Sequence, residues 1–302
     1  MIPNTKITKF ENNRLMEGTG NDNIFQNGEF FILKNALNKR DVVFDVGANK
    51  GNWTKVALSI AVLDKVFCFE PIKEMCDYMQ SQFFFRENLT IYNRIISDKD
   101  GIGDFFIYRN NHHVAEMSNM FGRPKVESQM QLAVQKLPIP MESIDSICKN
   151  HGIDRINFLK IDTEGAEELV LRGASGMLGK HAIDYIQFEY GGCFVDSGAR
   201  LKNVFEILNK NNYAIFRILP DSLMGFPEFL DQWHNQLENF AHCNYLAILN
   251  DKNEHTVFKS KQKQTKKRKR HKAKSKPEVK YIRFPKKKSI AKMKSKIKLL
   301  DK

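Results

Sequence analysis

The stretch that most constrains this chain is Val42-Val43-Phe44-Asp45-Val46-Gly47-Ala48-Asn49-Lys50-Gly51-Asn52-Trp53. Apolar, β-branched residues run into an acid and a turn bracketed by glycines, then reach Asn52, a good helix N-cap. The pattern predicts a strand, a tight loop and a helix start. Beyond Asn52 the apolar positions Trp53, Val56, Ala57, Ile60 and Ala61 repeat as one buried helical face. Glycines at both ends of the loop let backbone approach a ligand and leave free N–H groups at the helix start. A nucleotide-like ligand is the first hypothesis.

What the loop lacks narrows the choice. It has neither G-x-G-x-x-G nor G-x-x-x-x-G-K-[ST], and instead reads D-x-G-x-x-x-G with Asp45 at the carboxyl end of the strand. A carboxylate there repels a pyrophosphate but suits an ammonium group, such as the methionine part of S-adenosylmethionine. Val66-Phe67-Cys68-Phe69-Glu70-Pro71 reads as a second buried strand whose acid, Glu70, follows Gly47 by 23 positions. That spacing suits a carboxylate accepting hydrogen bonds from ribose hydroxyls.

Three blocks carry a resemblance to a known family: Phe44 to Gly51, then Phe69-Glu70-Pro71, then Phe158-Leu159-Lys160-Ile161-Asp162-Thr163-Glu164-Gly165-Ala166-Glu167. Together, over about residues 42–189, they resemble the successive signatures of FkbM-type methyltransferases, and the K-I-D-x-E-G-A-E block is the most specific. The resemblance implies a Rossmann-like α/β fold and S-adenosylmethionine as methyl donor. It implies donor-binding roles for Asp45, Gly47, Asn49, Gly51 and Glu70, and for Asp98 over the adenine, at the end of a third strand read as Leu89 to Ser97. It also places Asp162 and Glu164 next to the methyl group.

Charge separates the chain into parts. Residues 251–302 hold 22 Lys+Arg against 4 Asp+Glu, whereas residues 1–250 hold 26 against 31. The basic pI belongs to the tail alone. About 250 residues suffice for one α/β domain that removes roughly 70–75% of its unfolded surface from water. The expected division is an arm and helix at 1–40, the catalytic domain at 41–250 and a largely disordered tail at 251–302. Cys68, Cys76, Cys148, Cys193 and Cys243 show no metal or disulfide spacing, which suggests reduced, buried thiols and an intracellular location. No secretory signal or membrane span is visible in the sequence.

Strands alternating with helices predict a mostly parallel, seven-stranded sheet covered on both faces. In such sheets a ligand lies beyond the carboxyl ends of the strands, where Asp45, Glu70, Asp98, Asp162 and Glu189 are expected to collect. Residues 110–140 show no clear periodicity and read as an irregular lid carrying His112-His113, which fit a solvated loop better than a base.

Methyl transfer needs in-line approach of the acceptor, and a hydroxyl acceptor also needs a base. Lys160 and Asp162, two apart on a strand, share a face. The expected roles are Asp162 as proton acceptor or metal ligand, with Lys160 beside it, and Glu164 as anchor for the acceptor hydroxyl. Asp162, Glu164 and Glu189 are hard oxygen ligands of the Mg²⁺ type, but without a geometry no metal is assigned. Glu167 reads as a helix N-terminal acid.

Lys266-Lys267-Arg268-Lys269-Arg270 fits a nuclear-import or nucleic-acid patch, so the location is cytoplasmic or nuclear. Ile290, Met293, Ile297 and Leu300, spaced as on a helix among lysines, suit an anionic membrane surface. The leading reading is O-methylation of a sugar or other small-molecule hydroxyl. The alternatives are an RNA methyltransferase tethered by residues 259–302, which calls for a second lysine at the rim, and a non-catalytic nucleic-acid-binding protein.

Overall fold

The computed structural model describes residues 16–109, 117–226, 237–250 and 280–283. The first half comprises α1 (Glu29–Ala36), β1 (Val42–Val46), α2 (Asn52–Ile60), β2 (Lys65–Phe69), α3 (Lys73–Gln82), β3 (Leu89–Tyr92), β4 (Ile95–Ile96) and β5 (Gly101–Tyr108). There follow α4 (Pro124–Met130), β6 (Val134–Glu142), α5 (Ile144–His151), β7 (Ile156–Ile161), α6 (Glu167–Arg172), α7 (Ser175–Gly179) and β8 (Ile183–Tyr190). The last are α8 (Cys193–Ser197), α9 (Leu201–Lys210), β9 (Tyr213–Leu219), β10 (Ser222–Gly225), β11 (Cys243–Leu249) and β12 (Lys280–Arg283).

The predicted α/β architecture is present, with β1 at the centre of the parallel half of the sheet, between β2 and β7. The sheet is mixed, however, and has nine strands in the order β12-β10-β9-β11-β8-β7-β1-β2-β3. Strands β3, β2, β1, β7 and β8 run parallel, and from β11 outward every pairing is antiparallel. The two extra strands have different origins. Only Pro220 and Asp221 separate β9 from β10, a connection too short for anything but an antiparallel return. Strand β12 comes from the basic tail, which was expected to be largely disordered. It pairs with β10 from Ser222↔Arg283 to Gly225↔Lys280. The remainder of the tail, including Lys266–Arg270 and the residues from Ile290 onward, lies outside the described residues, as do His112 and His113.

Both faces of the sheet are covered, which is why its central strands read as unbroken apolar runs. On one face Phe44, Leu159, Ile186 and Phe188 pack with residues of α5, α6, α7 and α9. On the other, Val43, Val66, Phe158 and Ile248 pack with α1, α2 and α3, and Trp53 meets Phe158 at a ring-centroid distance of 5.5 Å.

Two sequence readings change at the edge of the domain. The third strand stops at Tyr92, and Ile95–Ile96 instead joins a separate sheet in the order β4-β6-β5. The segment read as irregular contains α4 and β6, a nine-residue strand antiparallel to β5. Pro138 and Pro140 hid it, because proline cannot donate inside a ladder. Two apart, they place their missing N–H groups on one edge of β6, which β4 covers only at Met141 and Glu142. All five cysteines are buried and unpaired. Among the described residues no helix is long and apolar enough to cross a membrane.

Candidate active site

The turn after β1 is built by close approach. Gly47 has φ +74°, and a Cβ there would lie 1.7 Å from the Asp162 carbonyl oxygen, so the loops after β1 and β7 pass where only glycine fits. The N–H groups of Gly47 and Ala48 both donate to the Phe69 carbonyl, at 3.0 and 3.1 Å. Asn49, also left-handed at φ 49°, donates its N–H to Glu70 Oε2 at 2.8 Å, and Ile72 N–H donates to Oε1 at 2.8 Å. The glycine turn and the second-strand acid therefore form one unit. Burial pushes the Glu70 carboxyl up to about 7, against the lowering effect of these two backbone donors. Helix α2 starts at Asn52 itself, with left-handed Gly51 in the cap position and no side-chain cap.

Beside this turn lies a cleft of about 350 Å³. Gly47, Asn49, Glu70, Lys160, Asp162 and Glu164 all line it. Lys160 is buried, and its Nζ faces three acceptors: the Gly47 carbonyl, Asp45 Oδ1 and Asp162 Oδ2, each at 3.2 Å. Burial opposes its charge, but Asp162, Asp45 and Glu29 outweigh that and raise the pKa. The ammonium donates to the Gly47 carbonyl and forms ion pairs with both carboxylates, so Lys160 holds Asp162 in place. Glu164, left-handed at φ 55°, accepts from Arg123 Nη2 at 2.7 Å. Burial pushes its carboxyl up to about 7 despite that guanidinium.

Glu167 is wholly buried; one oxygen takes Thr163 N–H at 2.8 Å and the other Gly165 N–H at 3.0 Å. It stands in the first turn of α6 as expected, and its main effect is to set the loop that carries Asp162 and Glu164.

Three expected donor-site residues sit elsewhere. Asp45 is completely buried beneath the cleft, its carboxylate taken by the Thr54 hydroxyl and Lys160. Asp45 stands on the face of β1 that α2 covers, and α2 supplies a hydroxyl there. Gly51 is off the cleft wall, and a Cβ there would lie 2.7 Å from the Phe83 ring, so its smallness serves packing against α3. Asp98 is exposed and lies apart from the cleft, because β3 ends six residues before it. Arg94, Ile95 and Ile96 line the cleft in its place.

The sequence reading missed Asp22, Glu29, His242 and Asn244, all on the cleft wall, and Arg123 behind Glu164. Glu189, expected at the rim, is there and meets His242 Nε2 at 2.5 Å; His242 Nδ1 lies 3.4 Å from Asp22 Oδ1. The link is made by register, since β11 pairs Asn244 with Glu189. No local pattern around His242 announces it. The ligand-type groups of Glu164, Glu189 and Cys193 lie within 4.8 Å of one another, a mixed set in which the thiol replaces the expected Asp162.

A half-parallel α/β sheet with a glycine turn after the central strand of its parallel half, and an acid after the neighbouring strand tied back to that turn, defines a Rossmann-like protein. More narrowly, the chain belongs to the methyltransferase FkbM family, whose domain profile matches residues 45–215. It is 27% identical over 158 residues to the 2-O-methyltransferase NoeI of Sinorhizobium fredii (strain NBRC 101917 / NGR234), a match covering 50% of this chain and 65% of that relative. The crystal structure of methyltransferase FkbM from Methylobacillus flagellatus KT aligns at 17% identity and TM-score 0.40, over 70% of this chain and 44% of that one. A putative rRNA-methylase from Clostridium thermocellum aligns at 10% identity and TM-score 0.39, over 73% and 92%. Both structural likenesses are weak, and the chain spans just under two thirds of its curated relative.

Proposed function

We propose that this protein transfers a methyl group from S-adenosylmethionine to a hydroxyl of a sugar or another small molecule. The observation that carries this reading is the union, in one cleft, of the Gly47–Glu70 unit with Asp162 and Glu164. Two features of the chain fit the donor. Asn49 Oδ1 is buried without a hydrogen-bond partner, and Glu70 offers a carboxyl to vicinal hydroxyls. When bound, the donor supplies an electrophilic methyl group on a sulfonium.

The protein's part is to position and to move one proton. Glu164, held by Arg123, anchors the acceptor by taking a hydrogen bond from a second hydroxyl beside the reacting one. Asp162, held by Lys160, takes the proton as that oxygen attacks, so that the alkoxide is never free in solution. The cleft volume sits at the small end of ordinary ligand pockets, which favours a compact acceptor over a folded nucleic acid. The name of NoeI, a 2-O-methyltransferase, supports a hydroxyl as the receiving group.

The test uses the full chain and tritiated donor, offered oligosaccharides and RNA in parallel. Label in the oligosaccharides is the expected result, and label confined to RNA would transfer the function to the nucleic-acid alternative. Asp162→Asn should lower kcat by about 10²–10⁴-fold with donor affinity little changed. A larger loss in His242→Gln than in Asp162→Asn would move the base to His242.

A further inference from the structure

If the donor carries an ammonium group, some carboxylate must receive it, and Asp45 is closed beneath the floor. The acids on the cleft wall can be separated by the partners they already have. Asp162 is paired with Lys160, Glu164 with Arg123, and Glu189 and Asp22 with His242. Glu70 is tied by two backbone N–H groups into the glycine turn.

Glu29 stands apart. It opens α1, is 8% exposed and lines the cleft. Its two carboxylate oxygens are held by neutral amides, Oε1 by Asn27 Nδ2 and Oε2 by Gln187 Nε2 at 2.7 Å. Among the described residues no Lys, Arg or His lies within ion-pair distance of it. Burial raises its pKa, and a cation beside it would favour the carboxylate form.

The amides beside it also leave an acceptor unfilled. Gln187 Oε1 is buried without a hydrogen-bond partner, and Asn244 Oδ1 lies 3.5 Å from Gln187 Nε2. In the sheet Asp45, Lys160 and Gln187 are direct neighbours on β1, β7 and β8, so they share one face, and the single cation in that row is already engaged by Asp45 and Asp162. The corner has acceptors and negative charge in excess. An ammonium, with three N–H groups and one positive charge, supplies both missing quantities.

We infer that Glu29, held in place by Asn27 and Gln187, is the carboxylate that binds the amino group of the methyl donor. This rests on the donor reading above and adds to it a residue outside the segment matched by the family profile. The placement of Glu29 is itself built in. Gly28 has φ +106°, and a Cβ there would lie 2.3 Å from the Leu219 carbonyl oxygen, so α1 is seated directly on β9.

The experiment is titration calorimetry on the full chain with two probes. S-adenosylhomocysteine carries the amino group, and 5′-methylthioadenosine shares the nucleoside but lacks the amino-acid part. Glu29→Gln should weaken S-adenosylhomocysteine by about 10–100-fold, the worth of a hydrogen bond to a charged group, and change 5′-methylthioadenosine less than about twofold. Equal loss for both probes, or loss for neither, overturns the assignment while leaving the donor reading intact. A wild-type chain that binds neither probe overturns the donor reading and this inference together. Should Glu29→Gln fail to fold, Asn27→Ala loosens the carboxylate without removing it. A selective loss of S-adenosylhomocysteine then supports the assignment, and an unselective or absent loss overturns it.

Discussion

Asp45 lies beneath the cleft, where one oxygen meets the Thr54 hydroxyl and the other faces Lys160. Its work is to hold Lys160, which in turn holds Asp162, so the residue acts on the reaction through two intermediaries. Asp45→Asn should keep the hydroxyl contact but remove half of the charge compensation around Lys160. Breaking a buried pair from one side commonly costs about 3–5 kcal/mol, and with Asp162 still in place we expect about 3 kcal/mol. Urea unfolding measures it, and a loss below about 1 kcal/mol would show that the pair contributes little. Glu29, by contrast, owes its position to a glycine on one side and two amides on the other, and nothing in its own stretch distinguishes it from an ordinary first-turn acid.

At the scale of elements, the segment leading into α4 is fastened to the site by Arg123. Its guanidinium reaches Glu164 through Nη2 at 2.7 Å and Asp196, on α8, through Nε at 3.2 Å. Ser118 and Met120 of the same segment line the cleft. Arg123→Gln should free the segment and leave Glu164 without its cation, while the Gly47–Glu70 unit stays as it is. The expected signature is a KM for the acceptor raised about tenfold with donor Kd within about twofold, read by steady-state kinetics and calorimetry. Equal change in both constants would mean that Arg123 supports the whole cleft. The same segment explains a failure of pattern reading: β6 carries two prolines and its residues from Val134 to Leu137 are exposed or half-buried, so it presents neither the composition nor the alternation of a strand until β5 is there to pair with it.

At the scale of the whole molecule, the acids at and behind the cleft include buried ones whose charged forms are disfavoured. Glu70, Glu164 and Glu167 are each pushed up to about 7 from 4.5, foremost by burial. The folded chain therefore holds more protons than the unfolded one between those values, and its stability should fall as pH rises from about 4.5 to 7. The full effect is present below the unfolded value, and each group accounts for up to about 3 kcal/mol. Urea midpoints from pH 5 to pH 8 in the absence of ligand check the sign, and Glu70→Gln should flatten the curve; a rise across that range contradicts it. As for what could be read in advance, the strand, turn and helix around Gly47, the acid at Glu70 and the loop from Asp162 to Glu167 were legible because each is a local pattern of turn chemistry and side-chain period. Periodicity says which residues share a face but not how deeply each lies, so Asp45 and Gly51, expected at the donor site, lie off the cleft wall. Glu29, Arg123, His242 and Asn244 come together from separate stretches of the chain through strand register and helix seating. Such contacts cost nothing to leave unsigned in the sequence, because the sheet that makes them is set by the burial of other residues.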